Sequence, residues 1–167
     1  MLRKRLLALA SEDKEPLRLW VQPLDGKPYA ITPPTVARNV ALSPDGSRVA
    51  VFAAGTGLMI YSTAPDVAAS GQAGTTVRPA KGLAPLLWTE GDWLYVQHIG
   101  AYTEIPTRIS RFHLPSGKLE PWKDIAPRDV LGVNAITKVM LSADRNLLVF
   151  NYRRVLSELF VAQPVRR

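Results

Sequence analysis

The sequence predicts an all-β fold built from a repeated unit, and three observations support the prediction. One pattern (an apolar run, a polar tight turn and a second apolar run) occurs around residues 43–46, again around 142–145, and in a weaker copy around 88–91. Residues 107–114 alternate with the period of two that is expected of a strand. Fourteen prolines and eleven glycines stand between the short apolar runs, which is typical of an all-β protein rich in turns.

The spacing of the repeat indicates the architecture. Its copies follow one another after about 45 and about 54 residues, and a period of about 40–50 residues with four short strands per unit is typical of a β-propeller blade. Helical solenoids need a helical period that this chain lacks. We therefore predict a partial β-propeller of about four blades, two complete and two incomplete. The blades form a single predicted domain over residues 1–167, and they comprise residues 1–33, 35–78, 83–123 and 131–167.

The best copy of the repeat has a turn whose residue types fit their positions. Ser43 precedes Pro44, whose fixed φ suits the second turn position, and Asp45 stabilises such a turn through its side chain. Gly46 accepts the left-handed conformation, so we expect it at positive φ. Asp144 is the equivalent of Asp45 in the last copy.

The repeat predicts fourteen strands in four units. The first unit has strands at 4–9, 17–24 and 29–32, and the second at 36–42, 47–53, 58–63 and 76–78. The third has strands at 84–88, 93–98, 107–114 and 118–121, and the last at 137–141, 147–152 and 158–162. The first unit lacks an innermost strand and the last lacks an outer strand. Because uncovered edges and faces recruit strands, we expect the chain to self-associate or to be stabilised by upstream blades of a longer parent chain.

Composition and charge narrow the classes of function. The chain has no cysteine, which excludes disulfides, thiolate metal sites and cysteine nucleophiles. Its net charge is +7, but the basic residues are scattered, which favours solvated surface charge over a site for nucleic acid or anionic lipid. The N-terminal apolar run is shorter than the core of a signal peptide, and no run approaches the length of a membrane span.

The Ser-Pro-Asp-Gly turn after an apolar strand resembles the repeats of TolB-like propellers. Residues 136–144 and 152–161 are similar to the C-terminal end of bacterial serine/threonine protein kinases that carry such a propeller behind the kinase domain. Residues 20–26 and 31–33 are similar to earlier blades of that family. The resemblance covers essentially the whole chain, although the turn motif is common to many propellers. It implies a propeller that senses or scaffolds, usually on the extracytoplasmic (periplasmic) side of a bacterial membrane.

Motifs for catalysis are absent from the sequence. It contains no glycine-rich phosphate loop, no His-Arg-Asp loop, no Asp-Phe-Gly motif and no Gly-x-Ser-x-Gly elbow. His98 and His113 lie on different predicted strands, where ordinary polar positions are favoured over a zinc site or a catalytic triad. Trp88 and Trp93 are interpreted as core between blades rather than as a stacking platform. We expect no catalytic residues, no cofactor, no metal and no enzymatic activity in this chain.

The propeller geometry predicts where a binding surface lies. The connections that enter the innermost strands share one face with the loops between second and third strands, and function concentrates in loops on rigid scaffolds. The candidate residues on this face are Arg38, Lys81, Tyr102, Glu104, Arg128, Asp129 and Asn134. We predict a non-catalytic segment that binds or senses a protein or ligand, as the C-terminal part of a kinase-type receptor. The alternatives are an accessory propeller of a peptidase-type hydrolase and a basic surface for nucleic acid or anionic lipid.

Overall fold

The structure, a computed structural model, describes residues 5–11, 14–34, 37–53, 55, 57–69, 75–76, 81–100 and 105–157. Within these ranges the chain forms thirteen β-strands in four sheets, and every pair of neighbouring strands is antiparallel. The prediction of an all-β protein is therefore confirmed. Each of these strands overlaps a predicted one, and the predicted strand at 158–162 lies outside the described residues.

Each sheet is an up-and-down meander whose strands follow chain order. Sheet 1 contains β1 (Arg5–Ala10), β2 (Arg18–Pro23) and β3 (Tyr29–Ala30). Sheet 2 contains β4 (Ala37–Leu42), β5 (Arg48–Ala53), β6 (Gly57–Ser62) and β7 (Thr75–Thr76). Sheet 3 contains β8 (Leu83–Thr89), β9 (Trp93–His98), β10 (Thr107–His113) and β11 (Leu119–Ile125). Sheet 4 contains β12 (Val133–Leu141) and β13 (Leu148–Arg154). A short helix that the repeat does not predict, α1 (Pro65–Ala69), lies between β6 and β7 in the chain.

The four sheets pack face to face in chain order, with a buried core in each of the three interfaces. The core between sheets 1 and 2 comprises Leu19, Val21, Ile31, Val49, Val51, Met59 and Tyr61. The core between sheets 2 and 3 comprises Ala41, Ala50, Leu58, Leu83, Trp88, Leu94, Val96 and Phe112. The core between sheets 3 and 4 comprises Tyr95, Ile109, Ile125, Ile136 and Val139.

Sheet 2 shows how the period of two builds two cores at once. In β5, Val49 and Val51 face sheet 1, whereas Ala50 between them faces sheet 3. In β6, Leu58 faces sheet 3 and Met59 faces sheet 1. Because successive side chains of a strand point to opposite faces, a strand that is apolar at every position is covered on both sides. Sheet 2 is therefore an interior layer of the stack.

Polar contacts also join neighbouring sheets. The Tyr29 hydroxyl donates a hydrogen bond to the Thr63 carbonyl at 2.8 Å, which connects sheet 1 to the end of β6. The Arg48 guanidinium of β5 forms an ion pair with Asp92 of sheet 3 and lies 4.9 Å from the ring centroid of Trp88. Trp88 is buried between sheets 2 and 3, which confirms its interpretation as core. Trp93 is only half-buried, and its ring lies 4.7 Å from that of His113.

The turn between β4 and β5 has the structure that its residue types predict. The Gly46 amide donates to the Ser43 carbonyl at 2.8 Å, and the Asp45 carboxylate accepts hydrogen bonds from the Ser43 hydroxyl and the Ser47 amide. These hydrogen bonds, with that of the Ser43 hydroxyl first, hold the pKa of Asp45 well below its usual range. Gly46 has a φ of 71°, which confirms the expected positive value.

The turn between β12 and β13 repeats these hydrogen bonds without a glycine. The Arg145 amide donates to the Ser142 carbonyl at 2.9 Å, and the Asp144 carboxylate accepts from the Ser142 hydroxyl and the Asn146 amide. The Ser142 hydroxyl is again the main cause that lowers the pKa of Asp144. Arg145 takes a φ of 63°, a left-handed conformation that is sterically unfavourable for a residue with a Cβ.

Candidate functional site

The first strands of sheets 2, 3 and 4 lie next to one another, and each carries a β-bulge. β8 packs against β4 on one side and β12 on the other. The register of each strand against its neighbour in the same sheet skips a residue: Arg38 in β4, Leu86 in β8, and both Asn134 and Thr137 in β12. A bulge bends its strand and re-aims the adjacent side chains, and bulges are common beside binding sites.

A groove with a volume of about 400 Å³ lies between β4, the end of β9 and β12. This volume is within the range of about 300–1,000 Å³ that is usual for small-molecule sites. The groove is lined by Asn39, Gln97, His98, Ile99, Gly100, Ala135, Ile136, Thr137 and Lys138. β4, the end of β9 and β12 therefore all contribute to one surface.

Gln97 is the most informative residue of the groove. It is 5% exposed, yet it lines the groove. Among the described residues no hydrogen bond to its side chain is found. The buried side-chain atoms without a partner among the described residues are Arg18 Nε, Trp20 Nε1 and Arg111 Nε, so the Gln97 amide atoms still reach solvent in the groove. The Gln97 amide is thus available to hydrogen-bond a molecule in the groove.

The remaining polar groups of the groove are amides, a hydroxyl and one charged amine. Asn39 and Thr137 come from the bulged strands β4 and β12, and Lys138 follows Thr137 directly. The described lining contains no carboxylate, and Lys138 is its one permanently charged group. Lys138 belongs to none of the ion pairs found within the described ranges. The groove therefore presents hydrogen-bond donors and a single positive charge.

Both histidines form hydrogen bonds within sheet 3. His98 Nε2 lies 2.9 Å from the Ser110 hydroxyl, and His113 Nδ1 lies 2.7 Å from the Ser116 hydroxyl. The first contact resembles a nucleophile and its base. However, Ser110 is 1% exposed, so a substrate carbonyl has no access to its hydroxyl. The His98–Ser110 contact joins β9 to β10 and supports the wall of the groove.

Two of the seven predicted binding-face residues lie in the bulges beside the groove. Arg38 immediately precedes Asn39 in β4, although its side chain is not among those described. Asn134 immediately precedes Ala135 in β12, and its side-chain oxygen accepts a hydrogen bond from Arg153 Nε at 2.9 Å. Neither residue is part of the groove lining.

Three further candidates are exposed in the connections to β8 and β12. Lys81 precedes Gly82, whose carbonyl accepts the amide of the groove residue Ile99 at 2.6 Å. Arg128 and Asp129 lie in the connection before β12, where Asp129 forms an ion pair with Arg154 at 3.0 Å. The amide of Leu131 first, and then Arg154, lower the pKa of Asp129.

The last two candidates, Tyr102 and Glu104, lie outside the described residues. The groove residues Asn39, Gln97, Thr137 and Lys138 were not predicted. A signal for three of them is present in the sequence, because alignment of Ser43 with Ser142 places Arg38 and Asn39 opposite Thr137 and Lys138. Two adjacent polar residues interrupt the alternation of a strand in both copies, which is the pattern of a bulge.

Across the described part of the chain, no group of three or more His, Cys, Asp or Glu side chains is placed to hold a metal ion. No helix among those residues is long and apolar enough to cross a membrane.

The fold and the groove define an all-β protein of stacked antiparallel meanders with a polar groove lined by strands of three sheets. No protein-family profile matches the sequence, and no curated protein is significantly similar to it.

Proposed function

We propose that the chain is a four-blade segment of a β-propeller that binds a ligand or protein without catalysing a reaction. The architecture supports this proposal because four antiparallel meanders stack face to face in chain order and the first strands of sheets 2, 3 and 4 lie side by side. In a propeller, blades stack in this way and the first strands surround a central channel. Sheets 1 to 4 would then correspond to consecutive blades.

The observation that carries the binding proposal is the groove, which the amide of the largely buried Gln97 reaches. A site for recognition needs a cavity with a few convergent polar groups. Gln97, Asn39, Thr137 and Lys138 supply these groups from three neighbouring sheets. Amides, a hydroxyl and an amine hold a ligand through hydrogen bonds and one charge. The His98 imidazole is already hydrogen-bonded to the Ser110 hydroxyl. This set of groups suits binding rather than bond cleavage.

The binding proposal is tested with a broad panel of small polar compounds: sugars, amines, carboxylic acids and short peptides. Thermal shift identifies binders of the full chain, and ¹H–¹⁵N NMR spectra locate them. We expect at least one compound to raise the melting temperature and to shift the backbone amides of residues 97–100 and 135–138. Assays for ATP hydrolysis, phosphoryl transfer and peptide hydrolysis should read background. The proposal fails if nothing in the panel binds, or if binders leave these amides unshifted.

Exposed apolar residues on the outer face of sheet 4 favour a further stacked blade as a partner of the chain. Met140 and Val149 are paired across β12 and β13, and both are exposed. Their repeat equivalents in sheet 2, Ala41 and Ala50, are also paired, and there sheet 3 covers them. Because the equivalent pair of sheet 2 is covered inside the stack, we propose that another blade of this kind covers Met140 and Val149.

Adding a further blade tests this partner directly. Thermal melts and light scattering of the chain, with and without upstream sequence of its parent gene, should show a higher melting temperature and less self-association with the added blades. Association of two copies of the chain through this face would identify a second copy as the occupant. A monomer that melts cooperatively and gains nothing from the addition would contradict the proposal.

The similarity of residues 136–144 and 152–161 to kinase-linked propellers supports a place behind the kinase domain of a bacterial receptor. The gene sequence upstream of this segment tests that proposal. A kinase domain with its Asp-Phe-Gly motif is the expected finding. A peptidase domain there would favour the accessory propeller of a hydrolase instead.

A further inference from the structure

We infer that the groove recognises a carboxylate group, held by the side chains of Gln97, Asn39, Thr137 and Lys138. This inference rests on the proposed function, because it names the ligand class of the same groove. Three features of the groove point to this ligand: its hydrogen-bond donors, its single positive charge, and the apolar surface beside them.

The donors converge from separate strands. Gln97 and Asn39 each offer an NH₂ group, and Thr137 offers a hydroxyl. Gln97 is 5% exposed and has no hydrogen-bond partner for its side chain among the described residues. A ligand oxygen that accepts from its amide would satisfy it, and a carboxylate with two oxygens accepts several such bonds at once.

The charge of the lining selects a monoanion. Lys138 supplies one positive charge, and the described lining has no carboxylate to neutralise it. Hydrogen bonds between charged partners are about twice as strong as neutral ones. A cationic ligand would find no counter-charge in this lining. A phosphate monoester carries a charge of about −1.5 to −2 at pH 7, whereas Lys138 is the one cation of the described lining.

Apolar residues beside the donors indicate the rest of the ligand. Ile99, Ala135 and Ile136 contribute uncharged surface to the same groove. A ligand with one carboxylate and an uncharged body matches both the donors with Lys138 and the apolar surface beside them. A small organic acid and the C-terminal carboxylate of a peptide both have this chemistry, so the experiment has to separate these two sources.

The test uses N-acetyl amino acids, which carry a carboxylate as their one charge, and the matching N-acetyl amino acid amides as neutral controls. Peptides of four residues with free or amidated C-termini form the second arm. The readout is the side-chain NH₂ cross-peaks of Gln97 and Asn39 in ¹H–¹⁵N NMR spectra of the full chain. We expect the acids to shift these peaks and the amides not to. Tighter binding of free-carboxylate peptides than of N-acetyl amino acids would identify a peptide C-terminus as the source.

Three variants test the roles of the Lys138 charge and of the Gln97 amide. Lys138→Met should weaken binding of the acids about ten- to hundredfold, as expected for loss of a charged hydrogen bond, whereas Lys138→Arg should keep most of it. Lys123→Met, on the exposed strand β11, is the matched control and should bind like the wild type. Gln97→Leu should weaken binding of the acids, and Lys138→Met should abolish the preference for acids over amides. Circular dichroism and the backbone NMR spectrum check that each variant folds.

The outcomes separate this inference from the proposed function. Acids and amides that bind equally well, with shifts at Gln97, would overturn the carboxylate assignment and leave a binding groove in place. Unchanged acid binding in Lys138→Met would also overturn the assignment. An absence of binding by every compound in both this set and the broad panel would overturn both.

Discussion

The β4–β5 hairpin of sheet 2 and the β12–β13 hairpin of sheet 4 have the same local structure in different surroundings. Both turns pair a serine hydroxyl with an aspartate carboxylate, and both close with an amide that donates to the serine carbonyl. Both first strands carry a bulge at the same repeat position, Arg38 in β4 and Thr137 in β12. Local residue types therefore determine the geometry of the hairpin.

The surroundings determine how much of each hairpin is buried. Ala41 and Ala50 of sheet 2 are 6% and 0% exposed, whereas the equivalent Met140 and Val149 of sheet 4 are 53% and 44% exposed. The larger apolar pair is the more exposed one. The difference arises because sheet 3 covers this face of sheet 2, while no described residue covers the outer face of sheet 4 to the same extent. Stability should therefore be distributed unevenly between two hairpins of the same design.

The largest expected difference in the free energy of unfolding comes from making the same substitution, valine to alanine, in each hairpin. Val51→Ala removes two methyl groups from the core between sheets 1 and 2, and we expect a loss of about 2 kcal/mol in the free energy of unfolding. Val149→Ala makes the same change on the exposed face and should cost less than about 0.5 kcal/mol. Denaturant unfolding of both variants measures the two losses. Equal losses would show that the outer face of sheet 4 is covered in solution.

A smaller change in stability is expected from substitutions of the positive-φ residue in each of the two turns. Gly46→Val should destabilise by about 1–2 kcal/mol, because a residue with a Cβ is forced into the left-handed region. No atom lies within 4 Å of the position that a Cβ would take, so the cost comes from backbone strain rather than a clash. Arg145→Gly is the reciprocal change and should stabilise by less than about 1 kcal/mol, since part of the relieved strain is offset by unfolded-state entropy. Unchanged denaturant midpoints for both variants would contradict this account of the turns.

The smallest effect is a pH dependence. The pKa values of Asp45 and Asp144 are lowered, mainly by hydrogen bonds from Ser43 and Ser142. A carboxyl group whose pKa is lowered on folding contributes stability above its unfolded pKa of about 3.9, and this contribution is lost as the pH falls below that value. Because both carboxylates are exposed, the contribution is modest.

Variants assign the pH effect to the turns. Stability between pH 7 and pH 3 should fall less in Asp45→Asn than in the wild type. Asp25→Asn serves as control, because the Asp25 side chain makes no hydrogen bond among the described residues. A wild-type decrease that persists in full in the double variant of Asp45 and Asp144 would show that other groups cause it.

Much of the fold could be predicted from the sequence because the repeat depends on residues that are neighbours in the chain. The turn at residues 43–46 and the alternation in β5 depend on neighbours in the chain, and both were predicted correctly. The additional length of β12, which begins at Val133 rather than at residue 137, was not predicted. Its two bulges break the alternation on which the strand prediction depended.

The groove was harder to predict because it is assembled from three sheets. The predicted face is near it, since Arg38 and Asn134 adjoin the lining residues Asn39 and Ala135. Gln97 follows four hydrophobic residues in β9, and only the packing of sheets 2, 3 and 4 shows that its amide borders a cavity. The prediction centred on exposed, mostly charged residues of loops, whereas most of the described lining lies within β4, β9 and β12.

Amide hydrogen exchange followed by mass spectrometry tests most directly the claim that the four sheets stack in chain order. In this account sheets 2 and 3 are covered on both faces and sheets 1 and 4 mainly on one. Backbone amides exchange slowest where burial resists local opening. We therefore expect β5 and β9 to exchange slowest and β1 and β13 to exchange markedly faster. Protection of β13 equal to that of β5, or exchange of all four sheets at one rate, would contradict the stack.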